Sequence, residues 1–296
     1  MGVGLAAGGY MADEGLSTAV YLSLALRRPL LLEGEAGVGK TEVARVLAGW
    51  SEAPLVRLQC WEGIDATQAV YEWDYPRQLL HLRTVEAARG DVAAGDVDAE
   101  ALEVELYDER FLLRRPLLQA ISATDGPPVL LIDEVDRADD EFEAYLLEVL
   151  ADYAVTVPEL GTIRAVHPPM VVLTSNRTRD VHDALKRRCL YHWVEHPDFD
   201  REVEIVRLRH PAASEQLARQ VAALVAELRS RGLYKPPGVA ETLDWVEAIL
   251  TLRRDELSAE VVEATLGAAL KYREDQERVR NAGTRDLVDD ALRRSG

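Results

Sequence analysis

The chain has 296 residues, of which 48% are apolar and 29% charged, with a formal net charge of -18. That composition suits a folded chain of about two domains, and so negative a surface repels phosphate backbones, which argues against nucleic acid as the main partner. The two cysteines, Cys60 and Cys189, lie far apart with no histidine beside them, so neither a disulfide framework nor a zinc site is expected and a reducing cytoplasm fits best.

In chain order, residues 1–10 are small and Gly/Ala-rich, without the basic start and apolar core of a signal peptide. No apolar run reaches the roughly 18 residues of a membrane span. A soluble chain is expected, with peripheral membrane attachment through a partner left open. Residues 13–28 read as a helix whose apolar face includes Leu16, Val20 and Leu24; Arg27 and Arg28 stand at its end, where the dipole favours cations, and Pro29 stops it. Leu30-Leu31-Leu32 reads as a strand buried on both faces. A glycine-rich turn at 34–41 leads into a helix over 42–50, and 55–58 is a second strand. Residues 61–115 mix aromatic, acidic and helical stretches without a clear period. Val129 to Ile132 is another fully apolar strand, followed by a helix over 142–151. Residues 153–166 suggest a hairpin with a four-residue turn, Pro158-Glu159-Leu160-Gly161. A strand over 170–173 runs into Thr174-Ser175-Asn176.

Strands alternating with helices predict an α/β fold, a mainly parallel sheet with helices on both faces. Beyond Pro197 the texture changes to helical spacing alone, as in Leu217, Val221, Leu224 and Leu228. The expected division is an α/β nucleotide-binding domain over 1–200 and a smaller all-helical lid domain over 201–296, with the boundary near 197–212.

Gly34-Glu35-Ala36-Gly37-Val38-Gly39-Lys40-Thr41 fits the P-loop pattern G-x-x-x-x-G-K-[ST]. Glycines let backbone amides converge on phosphate oxygens, and the following helix turns its positive end to the same anion. Lys40 is placed to reach the outer phosphates and the Thr41 hydroxyl to ligate Mg²⁺. Asp133-Glu134, at the end of an apolar strand, supplies the other half: Asp133 for the metal and Glu134 as the base that takes a proton from water. Asn176, after another buried strand, is suited to orient that water. Arg187 and Arg188 are candidates to stabilise charge developing on the terminal phosphate. No N-K-x-D guanine-reading motif occurs, so ATP is favoured over GTP.

With these motifs in this order the chain resembles the AAA+ P-loop ATPases over nearly its full length. The hairpin at 153–166 and the segment 61–89 after the second strand look like the MoxR branch. Residues 12–16, 28–34, 185–190 and 235–238 are similar to its CoxD-like members, associated with carbon monoxide dehydrogenase maturation. The resemblance implies an ATP-hydrolysing ring of roughly six copies closed head to tail, with Arg188 first and Arg187 second as the finger supplied to a neighbour. It also implies a von Willebrand A-domain partner and a metalloenzyme client, such as a molybdenum–copper hydroxylase completed after folding. One departure stands out. Lids of that branch carry an arginine in a Ser-Pro-Arg-like context, and the matching place here is Gly238-Val239-Ala240-Glu241-Thr242, leaving Arg285 as a replacement or a lid that senses nucleotide differently. Two other readings stay open on the residues: a nucleic-acid-directed motor, for which the hairpin offers only Arg164 and His167, and a nucleotide-gated scaffold with little hydrolysis.

Overall fold

The computed structural model describes residues 2–89 and 104–295. The chain forms two compact units. One gathers Met1–Tyr21, Leu32–Ser51 and Tyr191–Gly296; the other gathers Leu22–Leu31 and Glu52–Leu190.

Nine strands are described. Five of them, β1 (Leu30–Glu33), β2 (Leu55–Gln59), β5 (Val129–Asp133), β8 (Met170–Ser175) and β9 (Leu190–Trp193), form one sheet in the order β2-β5-β8-β1-β9. The β2–β5 and β5–β8 pairs are parallel, with Leu55 opposite Val129 and Val129 opposite Met170. Leu130, Leu131, Ile132 and Leu173 are at most 1% exposed, as continuous apolar strands buried on both faces should be. The edge strand β2 alternates instead: Val56 and Leu58 are buried, while Leu55 and Arg57 are exposed.

The stretch without a sequence period resolves into short elements. Asp65 and Gln68 cap each other at the start of α4 (Ala66–Val70), satisfying two helix-end donors at once. β3 (Tyr71–Trp73) then pairs antiparallel with β4 (Leu112–Arg114), with α5 (Tyr75–Arg89) between them in sequence and α6 (Pro116–Ile121) following. Three-residue strands give alternation no length in which to show. In the hairpin, β6 (Ala154–Val157) pairs with β7 (Gly161–Arg164). Gly161, expected inside the turn, opposes Val157 as the first residue of β7 with φ +79°. The turn is therefore three residues, because glycine accepts the left-handed backbone that closes it. α7 (Asp140–Asp152) precedes the hairpin, and α8 (Asp183–Arg188) lies between β8 and β9.

In the other unit, α1 (Gly2–Ala7), α2 (Glu14–Leu26, divided between the units) and α3 (Lys40–Trp50) are joined by α9 (Phe199–Arg209), α10 (Glu215–Ser230), α11 (Val239–Thr251), α12 (Ala259–Ala269), α13 (Arg273–Ala282) and α14 (Thr284–Ser295). Leu217, Val221, Leu224, Trp245, Ile249 and Leu266 are fully buried in its core. A buried polar network fixes the start of α11. Arg229 of α10 grips Glu202 of α9 through two hydrogen bonds of 2.6 and 2.8 Å and donates to the Pro237 carbonyl at 2.8 Å. Thr242 of α11 donates to the same Glu202 at 2.7 Å. With both charges partnered, the desolvation cost of burying them is offset. Among the described residues no helix is long and apolar enough to cross a membrane.

Candidate nucleotide site

Residues 34–41 run from the end of β1 into α3. Gly37 and Gly39 take φ of +83° and +94°, left-handed conformations that glycine reaches without a Cβ penalty and that turn neighbouring amides inward as an anion nest. The N-cap of α3 is Gly39 and makes no side-chain cap hydrogen bond, and the positive end of the helix dipole faces the loop. Lys40 is 6% exposed, and its ammonium donates to the carbonyls of Gly34 at 2.7 Å and Glu35 at 2.6 Å. Burial pushes the phenol of Tyr10, which packs beside Gly39, up to about 12; this ring is a neutral wall of the loop.

In the same unit the start of α11 rests on the loop. The Val239 and Ala240 amides donate to the Gly37 carbonyl at 2.9 and 3.3 Å, and the Glu241 carboxylate accepts the Gly238 amide at 3.0 Å. This is the stretch where the resemblance leads one to look for an arginine; the structure puts backbone amides there, and Arg285 is exposed on the first turn of α14. A Cβ added to Gly238 would lie 2.8 Å from the Gly37 Cα, backbone against backbone, so α11 would have to shift. Gly238→Ala should therefore cost about 1–3 kcal/mol, as overpacking does. It should lower the melting temperature and weaken nucleotide binding together; an unchanged melt and Kd would mean that the contact is dispensable.

The other unit holds the carboxylates. Asp133 ends β5 and is 3% exposed. Its Oδ1 accepts the Thr174 hydroxyl at 2.5 Å, and its Oδ2 accepts Arg57 Nη2 at 2.5 Å and Nε at 3.1 Å. Glu134 sits at φ +55°, a left-handed conformation costing a non-glycine residue about 1–2 kcal/mol; strain of this kind clusters at functional sites. Its amide is held by Thr174 Oγ1 at 2.9 Å. On its carboxylate, Oε2 accepts Gln59 Nε2 at 3.1 Å and Arg137 Nη1 at 3.2 Å, and Oε1 accepts Asn176 Nδ2 at 3.4 Å. The structure thus brings Glu134 and Asn176 together on a cleft of about 530 Å³ that Asp136 and Arg137 also line, while Asp133, the residue before Glu134, is buried at the end of β5 and does not line it.

The loop after Asn176 is pinned in place. Asp136 accepts the Thr178 amide at 2.8 Å and hydroxyl at 2.7 Å. The fully buried Glu143 accepts the Arg179 guanidinium and, at 2.7 Å, the His182 amide. Burial, and after it the charge of Asp133, push the Cys60 thiol up to about 12; burial does the same to Cys189. Both are free thiols held in their neutral form. Arg187 and Arg188 are exposed at the end of α8, and among the described residues neither guanidinium makes a hydrogen bond or ion pair. Their main chain is fixed: Arg28 donates to the carbonyls of Arg187 at 2.7 Å, Arg188 at 3.1 Å and Cys189 at 3.3 Å.

Sequence reasoning left out Arg57, Gln59, Thr174, Arg137 and the clamping role of Arg28. The signal for the first two was legible. Arg57 and Gln59 are polar and two apart in a strand whose Val56 and Leu58 are buried, so both lie on one face, and the register sets Gln59 opposite Asp133.

A parallel sheet with a glycine cradle after its first strand and a carboxylate pair after another is the AAA+ P-loop fold. The chain belongs to the AAA domain family, dynein-related subfamily, which matches residues 29–189. Members of this P-loop family are in general ATPases. No curated protein matches the chain. Among solved structures it is similar to the Thermotoga maritima RuvB Holliday junction branch migration motor, at 16% identity over 85% of this chain and 66% of that one, with a TM-score of 0.47. It is also similar to a proline-to-glycine mutant of Thermotoga maritima RuvB, at 15% identity over 89% of this chain and 70% of that one, with a TM-score of 0.51. This second likeness supports the fold and nothing finer.

Proposed function

We propose that the chain is an ATP-hydrolysing MoxR-type motor that remodels a protein client. The observation that carries this reading is the Glu134 carboxylate, held by Gln59, Arg137 and Asn176 next to Asp133, in a chain that also carries a complete phosphate cradle. A glycine loop alone would serve binding; a positioned carboxylate serves hydrolysis.

In this reading residues 34–41 bind the phosphates of ATP through backbone amides, and Lys40 exchanges its loop carbonyls for phosphate oxygens. Mg²⁺, when bound, neutralises charge developing on those oxygens. Thr41 and Asp133 are the hard oxygen donors that suit it, since Mg²⁺ takes few protein oxygens and fills its remaining positions from phosphate and water. Glu134 accepts the proton of a water that Asn176 orients. Arg188, with Arg187 second, serves the site of a neighbouring copy, as in a closed head-to-tail ring of roughly six. The helices from α9 onward act as the lid, which contacts the loop through the Gly37 carbonyl. The net charge of -18 favours a protein client over nucleic acid. The hairpin ahead of β8 supports the MoxR assignment, with a von Willebrand A-domain partner and cytoplasmic maturation of a metalloenzyme, such as a molybdenum–copper carbon monoxide dehydrogenase, as the setting.

The test is ATP binding and turnover by wild-type and Lys40→Ala protein, with and without an apo molybdenum hydroxylase. Loss of at least two charge-assisted hydrogen bonds should weaken Mg-ATP binding by about two orders of magnitude, and the client should raise wild-type turnover. Undiminished binding by Lys40→Ala would overturn the nucleotide site; a rate indifferent to the hydroxylase would overturn the choice of client.

A further inference from the structure

We infer that a cavity where β5 and β8 begin is a second binding site, suited to an acidic peptide segment of a partner protein, and that it reaches the finger arginines through Arg28. Only the link to the finger rests on reading Arg188 and Arg187 as that group; the site itself does not.

The cavity has a volume of about 480 Å³, within the roughly 300–1,000 Å³ usual for ligand pockets. Pro127 and Met170 line it at the starts of these strands, whereas Glu134 and Asn176 follow their other ends. Along β5 that separation is about 13 Å. Arg27, Arg28, His167 and Tyr153 face the cavity, and among the described residues no acidic side chain lines it. In a chain of net charge -18, a basic spot of this kind selects a carboxylate. Leu24, Pro168, Pro169 and Val171 add apolar walls. Such walls hold the side chains that flank a peptide carboxylate and give a bare inorganic anion nothing.

Arg27 is the telling residue. The Arg28 amide donates to the Ser23 carbonyl at 3.1 Å and the Arg27 amide to the Leu24 carbonyl at 3.4 Å, the paired bonds of a Schellman end to α2. Arg27 stands there at φ +53°, in the place where glycine is the usual residue. A long cation thus occupies a backbone position it fits poorly, and among the described residues its guanidinium makes no hydrogen bond or ion pair. Tyr153, itself at φ +47°, donates its hydroxyl to the Arg27 carbonyl at 3.4 Å. Two left-handed residues meet at one cavity, as backbone strain at a ligand site would have it. Arg28 uses Nε and Nη2 on the carbonyls of residues 187–189, which leaves Nη1 for a ligand. A carboxylate there fixes Arg28 from a second side and steadies the main chain that carries Arg187 and Arg188.

The experiment follows fluorescence polarisation of a short labelled peptide of alternating glutamate and leucine with the full chain. Wild type should bind it saturably, ignore the same peptide with glutamine for glutamate, and keep it in excess inorganic phosphate. Arg27→Gly should weaken binding about tenfold, the loss of one charge-assisted hydrogen bond. Its melting temperature should hold or rise, since glycine suits that backbone. The peptide should also raise wild-type ATP turnover about fivefold, the low end of coupling between separate sites. No binding, equal binding of the two peptides, displacement by phosphate, or undiminished binding by folded Arg27→Gly would each overturn the site as one for acidic peptides. Binding that leaves turnover unmoved overturns the link to the finger. A chain that hydrolyses no ATP would sink the finger reading and that link together, and leave the binding result to decide the site.

Discussion

Replacing Glu134 with glutamine should leave Mg-ATP binding close to wild type and lower turnover by about 10²–10⁴-fold, the usual contribution of a positioned general base. The substitution keeps the shape of the side chain and removes only its charge and basicity. Gln59, Arg137 and Asn176 all donate to the carboxylate, so a carboxamide loses at least one of these bonds, at a net cost of about 1 kcal/mol. The Glu134 side chain is about one-third exposed, so this loss should not unfold the site. Equilibrium binding and single-turnover hydrolysis measure the two effects separately. Turnover at the wild-type rate would remove Glu134 as the base. Asp136 would then be the next candidate: it lines the same cleft, and its Oδ1 is buried with no hydrogen-bond partner among the described residues.

What could be read from the sequence was whatever had a local cause. The P-loop is a contiguous pattern, and the strands buried on both faces announce themselves as unbroken apolar runs, Leu30 to Leu32 and Val129 to Ile132. The helices after Pro197 show their buried stripes directly. Contacts made by register were not legible: Arg57 meets Asp133 across 76 residues, and Thr174 reaches the same carboxylate across 41. The β3–β4 pair failed for a related reason, since three residues cannot display a period. The segment 235–242 was legible as a departure from a familiar pattern, but its consequence was not. That the start of α11 meets the loop through the Gly37 carbonyl depends on two glycines approaching where neither could carry a side chain.

The second large effect concerns Arg188. If the finger serves a neighbouring copy, Arg188→Ala should lower turnover by about 10³–10⁵-fold while nucleotide binding persists. The variant should fold, because Arg28 holds the main-chain carbonyls of residues 187–189 and the Arg188 side chain itself is exposed. The decisive measurement mixes two dead proteins. An Arg188→Ala subunit retains Glu134, and a Glu134→Gln subunit retains Arg188. In random equal mixtures about one interface in four pairs an intact base with an intact finger, so turnover should return toward about a quarter of the wild-type rate although neither protein works alone. Base and finger on the same subunit cannot complement in this way, since every copy would lack one of them. Recovery therefore requires both a shared site and an assembled ring, whereas silence in the mixture, with both variants folded and binding ATP, would move the finger to Arg187 or deny the ring altogether.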